Sequence, residues 1–206
     1  MSYESTSDLE PTEDTVSAPA HDRAVDGPFD ESEANPVRPY IDLGAIKILP
    51  REGLNLRLEV EEQTQRIVAV GLDYADSTLQ VQPFAAPRSS GLWHEIREQI
   101  AEQIARQGGT TSVRGGAFGP ELLAQIPVAA ADGATGRMRL ARFVGVDGPR
   151  WFLRGVIAGE AAVDPTAAAQ VEDLFRSIVV VRGTTPMPPR DLIPLRMPAT
   201  GAQPQQ

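Results

Sequence analysis

A chain of 206 residues with 41% hydrophobic side chains and a formal charge of −9 is long enough for one domain plus tails. The acidity is uneven. Residues 1–39 hold ten acids against Arg23 and Arg38, a net of −8, while the remainder holds 18 acids and 17 bases. A near-neutral body lacks the concentrated basic face that phosphate neutralisation needs, so direct nucleic-acid binding is not expected. The chain has no cysteine, which removes disulfides, zinc thiolates, iron–sulfur clusters and thiol nucleophiles.

The opening MSYESTSDLEPTED has neither a basic n-region nor an apolar h-region, so no secretory signal is expected. No apolar run approaches the roughly 20 residues that span a bilayer. The expectation is a cytoplasmic protein with no membrane contact. Lys47 is the sole lysine beside 18 arginines, a bias of GC-rich bacterial genomes.

In chain order, residues 1–39 are rich in Ser, Thr, Pro, Asp and Glu. Such a segment buries too little apolar area to offset its ordering entropy, which predicts a disordered acidic tail. Ile46 and Ile48 alternate with polar neighbours. In Asn55–Glu61, Leu56, Leu58 and Val60 alternate, predicting a half-buried strand. Residues 66–73 are apolar on both faces, as in a central strand, and 78–84 alternate again, with Leu79 and Val81 inward.

Trp93, Ile96, Ile100 and Ile104 recur at three- and four-residue spacing and predict a helix over Leu92–Gln107. Ser89 or Ser90 is placed to cap it and Gly108-Gly109 to end it. Strands are expected at 111–114, 121–128, 137–146 and 151–158, with turns at Gly115-Gly116, Asp132-Gly133 and Asp147-Gly148-Pro149. Asp164-Pro165 opens a last helix, as an N-cap acid before a proline. Ile178–Val181 reads as the helix end or a short edge strand. Six prolines between 183 and 206 predict an extended C-terminal tail, whose Leu192, Ile193, Leu195 and Met197 could dock onto the domain. The domain itself is assigned to residues 40–182.

Strands joined by short turns pair antiparallel. The expected fold is α+β: a single antiparallel sheet with two main helices packed against it. This element order is similar to that of PsbP-like α/β/α sandwiches, an analogy of fold alone. Residues 41–62 (IDLGAIKILPREGLNLRLEVEE), 79–104, 142–165 and 174–198 resemble an uncharacterised actinobacterial family, a domain of unknown function. The resemblance covers residues 40–198 and implies no activity, cofactor or catalytic residue.

The residues themselves carry little chemistry. His21 falls in the tail and His94 on the polar side of the first helix, so they form neither a metal site nor a triad. Gly115–Pro120 lacks the Lys and Ser/Thr of a phosphate loop and joins two strands. Glu61-Glu62 and Glu172-Asp173 read as solvated acids rather than a pair with separated pKa values. No catalytic residue, metal site or cofactor is expected.

The suggestive element is the hairpin at 137–158. A four-residue loop, 147–150, places Val146 opposite Trp151. One face then carries Met138, Leu140, Val144, Val146, Trp151, Leu153 and Ile157. The other carries Arg137, Arg139, Phe143, Arg150, Phe152 and Arg154, of which Arg139, Phe143, Arg150, Phe152 and Arg154 are the candidate binding residues. A covering helix or tail would leave those rings buried with the arginines snorkelling outward. Arg142 points into the apolar face and must find a carboxylate or backbone carbonyls there. The expected role is a non-catalytic binding or adaptor module, meeting a protein partner through the Arg/Phe face or the tails. The alternative is a sensor or enzyme that holds a small anionic ligand with Arg139, Arg150 or Arg154.

Overall fold

The computed structural model describes residues 21–88, 91–128 and 137–198. The Asp132-Gly133 turn and the Ser89/Ser90 cap lie outside them. Among the described residues the chain forms eleven strands and three α-helices. Strands β1 (Phe29–Asp30), β2 (Ile41–Asp42), β3 (Ile46–Ile48) and β11 (Val179–Val180) make a small sheet in the order β1-β11-β3-β2. In it β1 runs parallel to β11, and the other pairs are antiparallel.

Strands β4 (Asn55–Val60), β5 (Ile67–Tyr74), β6 (Ser77–Ala85), β7 (Thr110–Gly116), β8 (Gly119–Val128), β9 (Arg137–Gly148) and β10 (Trp151–Gly159) make a second, antiparallel sheet. Its order is β4-β5-β6-β10-β9-β8-β7. The single sheet expected from the element order is therefore wrong: the fold is mostly β, with sheets of four and seven strands. Strands two residues long have no readable period, and β1 finds its partner 150 positions away. For the same reason 179–180 is not an edge strand. It lies between β1 and β3.

The large sheet is covered on both faces. One packs against the small sheet and α3 (Pro165–Arg176), around Leu72, Leu79, Trp151, Leu153, Ile157 and Phe175. The other packs against α2 (Trp93–Arg106), around Trp93, Ile100, Ile104, Leu122 and Phe152. Helix α3 starts as its sequence requires, with the Asp164 carboxylate accepting from the Ala167 N–H at 2.7 Å and Pro165 in the first turn. The cap of α2 comes instead from the far hairpin. Asp147 accepts from the Leu92 N–H at 2.7 Å and from the Trp93 N–H at 3.2 Å. That carboxylate satisfies two of the orphan donors that every helix start presents.

Both presumed tails enter the fold where they are described. Residues 1–20 lie outside the description, but 21–39 carry α1 (Arg23–Asp26), β1 and a 3-10 turn at Glu31–Glu33. A bidentate Arg23–Glu33 pair at 2.5 and 2.7 Å holds them, and the Trp151 indole N–H donates to Asp30 at 2.9 Å. Composition predicts disorder only where no long-range partner waits, and here Trp151 supplies one. At the other end, residues 190–193 extend the free edge of β6. The Arg190 N–H donates to Ala85 and the Ile193 N–H to Pro83, at 2.7 and 2.9 Å. Ile193 is buried, whereas Met197 is exposed.

The 137–158 hairpin turns on two residues, Pro149 and Arg150, rather than four. Trp151 pairs with Gly148 and Leu153 with Val146. Proline needs no N–H at the first turn position, so it fits there. The change shifts the register by an even number of residues and leaves the facing as the alternation requires. Trp151, Leu153 and Ile157 are fully buried on the α3 side.

Candidate functional site

The five candidate binding residues do not share one surface. Phe152 is fully buried, between Trp93 at 6.0 Å and Phe84 at 6.1 Å, both stacked on it at shallow interplanar angles of 23° and 28°. Phe143 is half-buried in the same cluster beneath α2. Trp93 is fixed further by its indole N–H, which donates to the Pro120 carbonyl at 2.6 Å. The helix that covers these rings leaves no open phenylalanine face.

Arg154 lies at the edge of this cluster. Its guanidinium sits 5.5 Å from the Phe84 ring centre and donates to the Gln82 side-chain oxygen. Its buried Nε has no hydrogen-bond partner among the described residues, and burial holds its pKa below the ordinary arginine value. Arg150 lies at the hairpin turn, and Arg139 lies where α2 no longer covers the sheet.

The uncovered part of that face forms a trough, and the strand register explains it. Asn55, Asp73, Thr78, Ala158, Ala141, Ala124 and Thr111 stand in one row across all seven strands. Ala141 and Ala158 leave a low floor, because successive strands lie only ~4.8 Å apart and each larger side chain stands well above the pleat, while Ala124 is packed beneath α2. Two adjoining clefts open here, of about 830 and 590 Å³. Arg139 and Thr78 line both.

The walls are polar. Arg57 donates twice to Asp73, at 2.7 and 2.8 Å, and Thr78 donates to Asp73 at 3.0 Å. The hydrogen bond from Arg57 is the main reason that the Asp73 carboxyl lies below the ordinary range. This pair is internally neutralised. Glu59 accepts from the Gln80 amide at 2.5 Å and, among the described residues, makes no ion pair; neither does Arg139. The 590 Å³ cleft thus carries one uncompensated cation and one uncompensated anion, with Ala141, Val156 and Ala158 between.

A second polar cluster lies on the opposite face. Arg142 finds there the partners its position demands. It donates to Glu121 at 2.9 and 3.2 Å, to Glu172 at 2.5 Å and to the Ala161 carbonyl at 3.0 Å. Burial opposes the charge of Arg142, but these carboxylates outweigh it and hold its pKa above the ordinary value. Arg114 donates to Glu121 at 2.6 Å. Of the two acids read as solvated, Glu172 instead joins this network, while Asp173 stays exposed and pairs with Arg51 at 2.6 Å. Every charge in the cluster is answered by another. It reads as a fastening between α3 and the sheet rather than a seat for a ligand.

The histidines carry no site. His94 is exposed beside Glu98 at 3.5 Å. His21 stands edge-on to Phe118, with its ring nitrogen 2.7 Å from the Gly27 carbonyl. No group of three or more His, Cys, Asp or Glu side chains among the described residues could hold a metal ion, and no described helix is long and apolar enough to cross a membrane. Sequence reading located Arg139 and Arg154 but missed Glu59, Asp73, Thr78 and Gln80. Their outward alternation on β4 to β6 is visible in the sequence. Their neighbourhood with β9 is not.

A family model described as "Protein of unknown function (DUF3710)" matches residues 27–204. No curated protein matches the chain. The solution structure of cyanobacterial PsbP (CyanoP) from Synechocystis sp. PCC 6803 is similar over 66% of this chain and 86% of that one, at 13% identity and a TM-score of 0.39.

Proposed function

The chain belongs to the DUF3710 family, whose description assigns no activity, and we propose from its own geometry that it is a binding module for a small polar ligand. The ligand sits in the trough on the large sheet. It carries an anionic group for Arg139, a hydrogen-bond donor for Glu59, and an apolar middle over Ala141, Val156 and Ala158. The observation that carries this reading is Arg139: it lines both adjoining clefts and no described carboxylate pairs with it. A guanidinium that folding leaves unneutralised recognises carboxylate or phosphate bidentately.

The closure of the Phe152 ring beneath Trp93 favours this reading over an adaptor that meets its partner through the Arg/Phe face. Binding is the role assigned, with Arg139 and Glu59 as the charged groups that orient the ligand.

The test is a thermal-shift series on the full chain against amino acids, hydroxy acids and sugar phosphates at millimolar concentration. A ligand at 100 times its Kd adds about 2.7 kcal/mol of stability. At least one class should raise Tm, and Arg139→Ala should abolish the rise while leaving the unliganded Tm unchanged. A flat panel, or a shift that Arg139→Ala retains, would sink the reading.

A further inference from the structure

Arg150 occupies the second position of the two-residue turn after Pro149, with φ at +62°. A turn with proline first and a left-handed second residue has the type II pattern, which strongly favours glycine at that second position. Arginine there is strained, and the surrounding hairpin holds it in place. Its side chain makes no hydrogen bond or ion pair among the described residues.

The Arg150 carbonyl accepts from one further arginine. The Arg182 Nε donates to it at 3.0 Å, and the Arg182 Nη1 donates to the Thr185 carbonyl at 3.0 Å. Two backbone acceptors thus orient the Arg182 guanidinium without neutralising it, and Nη2 has no partner among the described residues. The Ala86 N–H donates to the same Arg150 carbonyl at 2.9 Å, and exposed Arg88 follows Ala86 by two residues. No described carboxylate pairs with Arg88, Arg150 or Arg182. Of the nearby acids, Asp147 caps α2 and Glu95 pairs with Arg190, while exposed Asp191, whose carbonyl accepts from the Ala85 N–H, is the one anion set among these cations.

We propose that Arg88, Arg150 and Arg182 form a docking rim for an acidic peptide segment of a protein partner, separate from the trough. Three cations reach the rim from three segments of chain: the exit of β6, the hairpin turn and the stretch after β11. That spread suits a run of carboxylates rather than one compact ion. Three arginines without an exposed aromatic ring beside them also fit a peptide better than a nucleic acid, whose single strands need stacking platforms; Trp151, the adjacent ring, is fully buried. Prior orientation of Arg182 by backbone carbonyls lowers the entropy lost on binding.

The test is fluorescence anisotropy of a labelled deca-glutamate peptide with the full chain at low salt. Binding should weaken as salt is added. Arg150→Gly and Arg182→Gln should each lower affinity about tenfold, the equivalent of ~1.4 kcal/mol, and Arg139→Ala should leave it unchanged. Arg150→Gly should keep or raise Tm, since glycine relaxes the turn. A drop in Tm would mean that the side chain is structural and would overturn the proposal. So would affinity retained in the Arg150→Gly/Arg182→Gln double variant, full displacement by millimolar inorganic phosphate, or equal binding of a single-stranded oligonucleotide of the same charge.

Discussion

Glu121 receives Arg142 through both of its carboxylate oxygens, at 2.9 and 3.2 Å, in an interior where neither side chain is more than 4% exposed. Removing one member of such a pair strands the other as an uncompensated buried charge, which costs about 3–5 kcal/mol. Glu121→Ala takes both Glu121 contacts from Arg142 but leaves it Glu172 and the Ala161 carbonyl, so it should destabilise the chain by no more than the lower end of that range in urea denaturation. Glu172→Ala should cost less, because Glu172 is more exposed and its loss leaves Arg142 still paired with Glu121. Equal losses in the two variants would contradict this ordering.

Acid should loosen the N-terminal strand. Burial pushes the Asp30 carboxyl up, but hydrogen bonds from Ser32 and from the Trp151 indole outweigh it and bring the carboxyl below its ordinary value. Glu33 is likewise lowered, chiefly by the hydrogen bond from Arg23. Groups with depressed folded pKa values contribute stability that is complete above their unfolded pKa and lost as pH falls through the folded one. Stability should thus fall below about pH 4. An Asp30→Asn/Glu33→Gln variant should start lower at neutral pH and lose less on acidification, as read from melting temperature against pH.

Helix α2 depends on a glycine beneath it. A Cβ at Gly145 would stand 2.4 Å from the Trp93 ring and 2.8 Å from Phe152. Gly145→Ala should push α2 off the sheet at an overpacking cost of about 1–3 kcal/mol. Red-shifted tryptophan emission together with a lower Tm would show it. An unchanged spectrum would mean that the helix shifts sideways without uncovering Trp93.

The same helix has a cap that the variant Asp147→Ala removes. Loss of an N-cap costs about 1 kcal/mol, and chemical denaturation should register that amount. Asp147→Asn should recover part of it, since its side-chain oxygen still accepts from the Leu92 N–H.

Ala158 forms part of the trough floor. Ala158→Leu should block any ligand-induced thermal shift while the deca-glutamate peptide binds as before. Loss of both responses would indicate a damaged fold instead of a filled trough.

Local periodicity was enough to orient the hairpin. The alternation through 151–157 sends Trp151, Leu153 and Ile157 inward, and the turn length left this unchanged because an even shift in register preserves facing. Burial energetics were equally local for Arg142: a guanidinium on an apolar face had to meet carboxylates, although nothing in the sequence said that they would be Glu121 and Glu172. The start of α3 at Asp164-Pro165 was legible because capping is short-range.

Tertiary structure alone decided the rest. The small sheet pairs Phe29 with Val179, and two-residue strands offer no period from which to read such a partner. The covering of Phe152 by Trp93 and the meeting of Ala86 and Arg182 at the Arg150 carbonyl also join segments far apart in the chain. Side-chain alternation reports only which face a residue points to. What lies across that face is set by packing between distant elements, and here that packing separated Arg139, in an open trough, from Phe152, sealed beneath a helix.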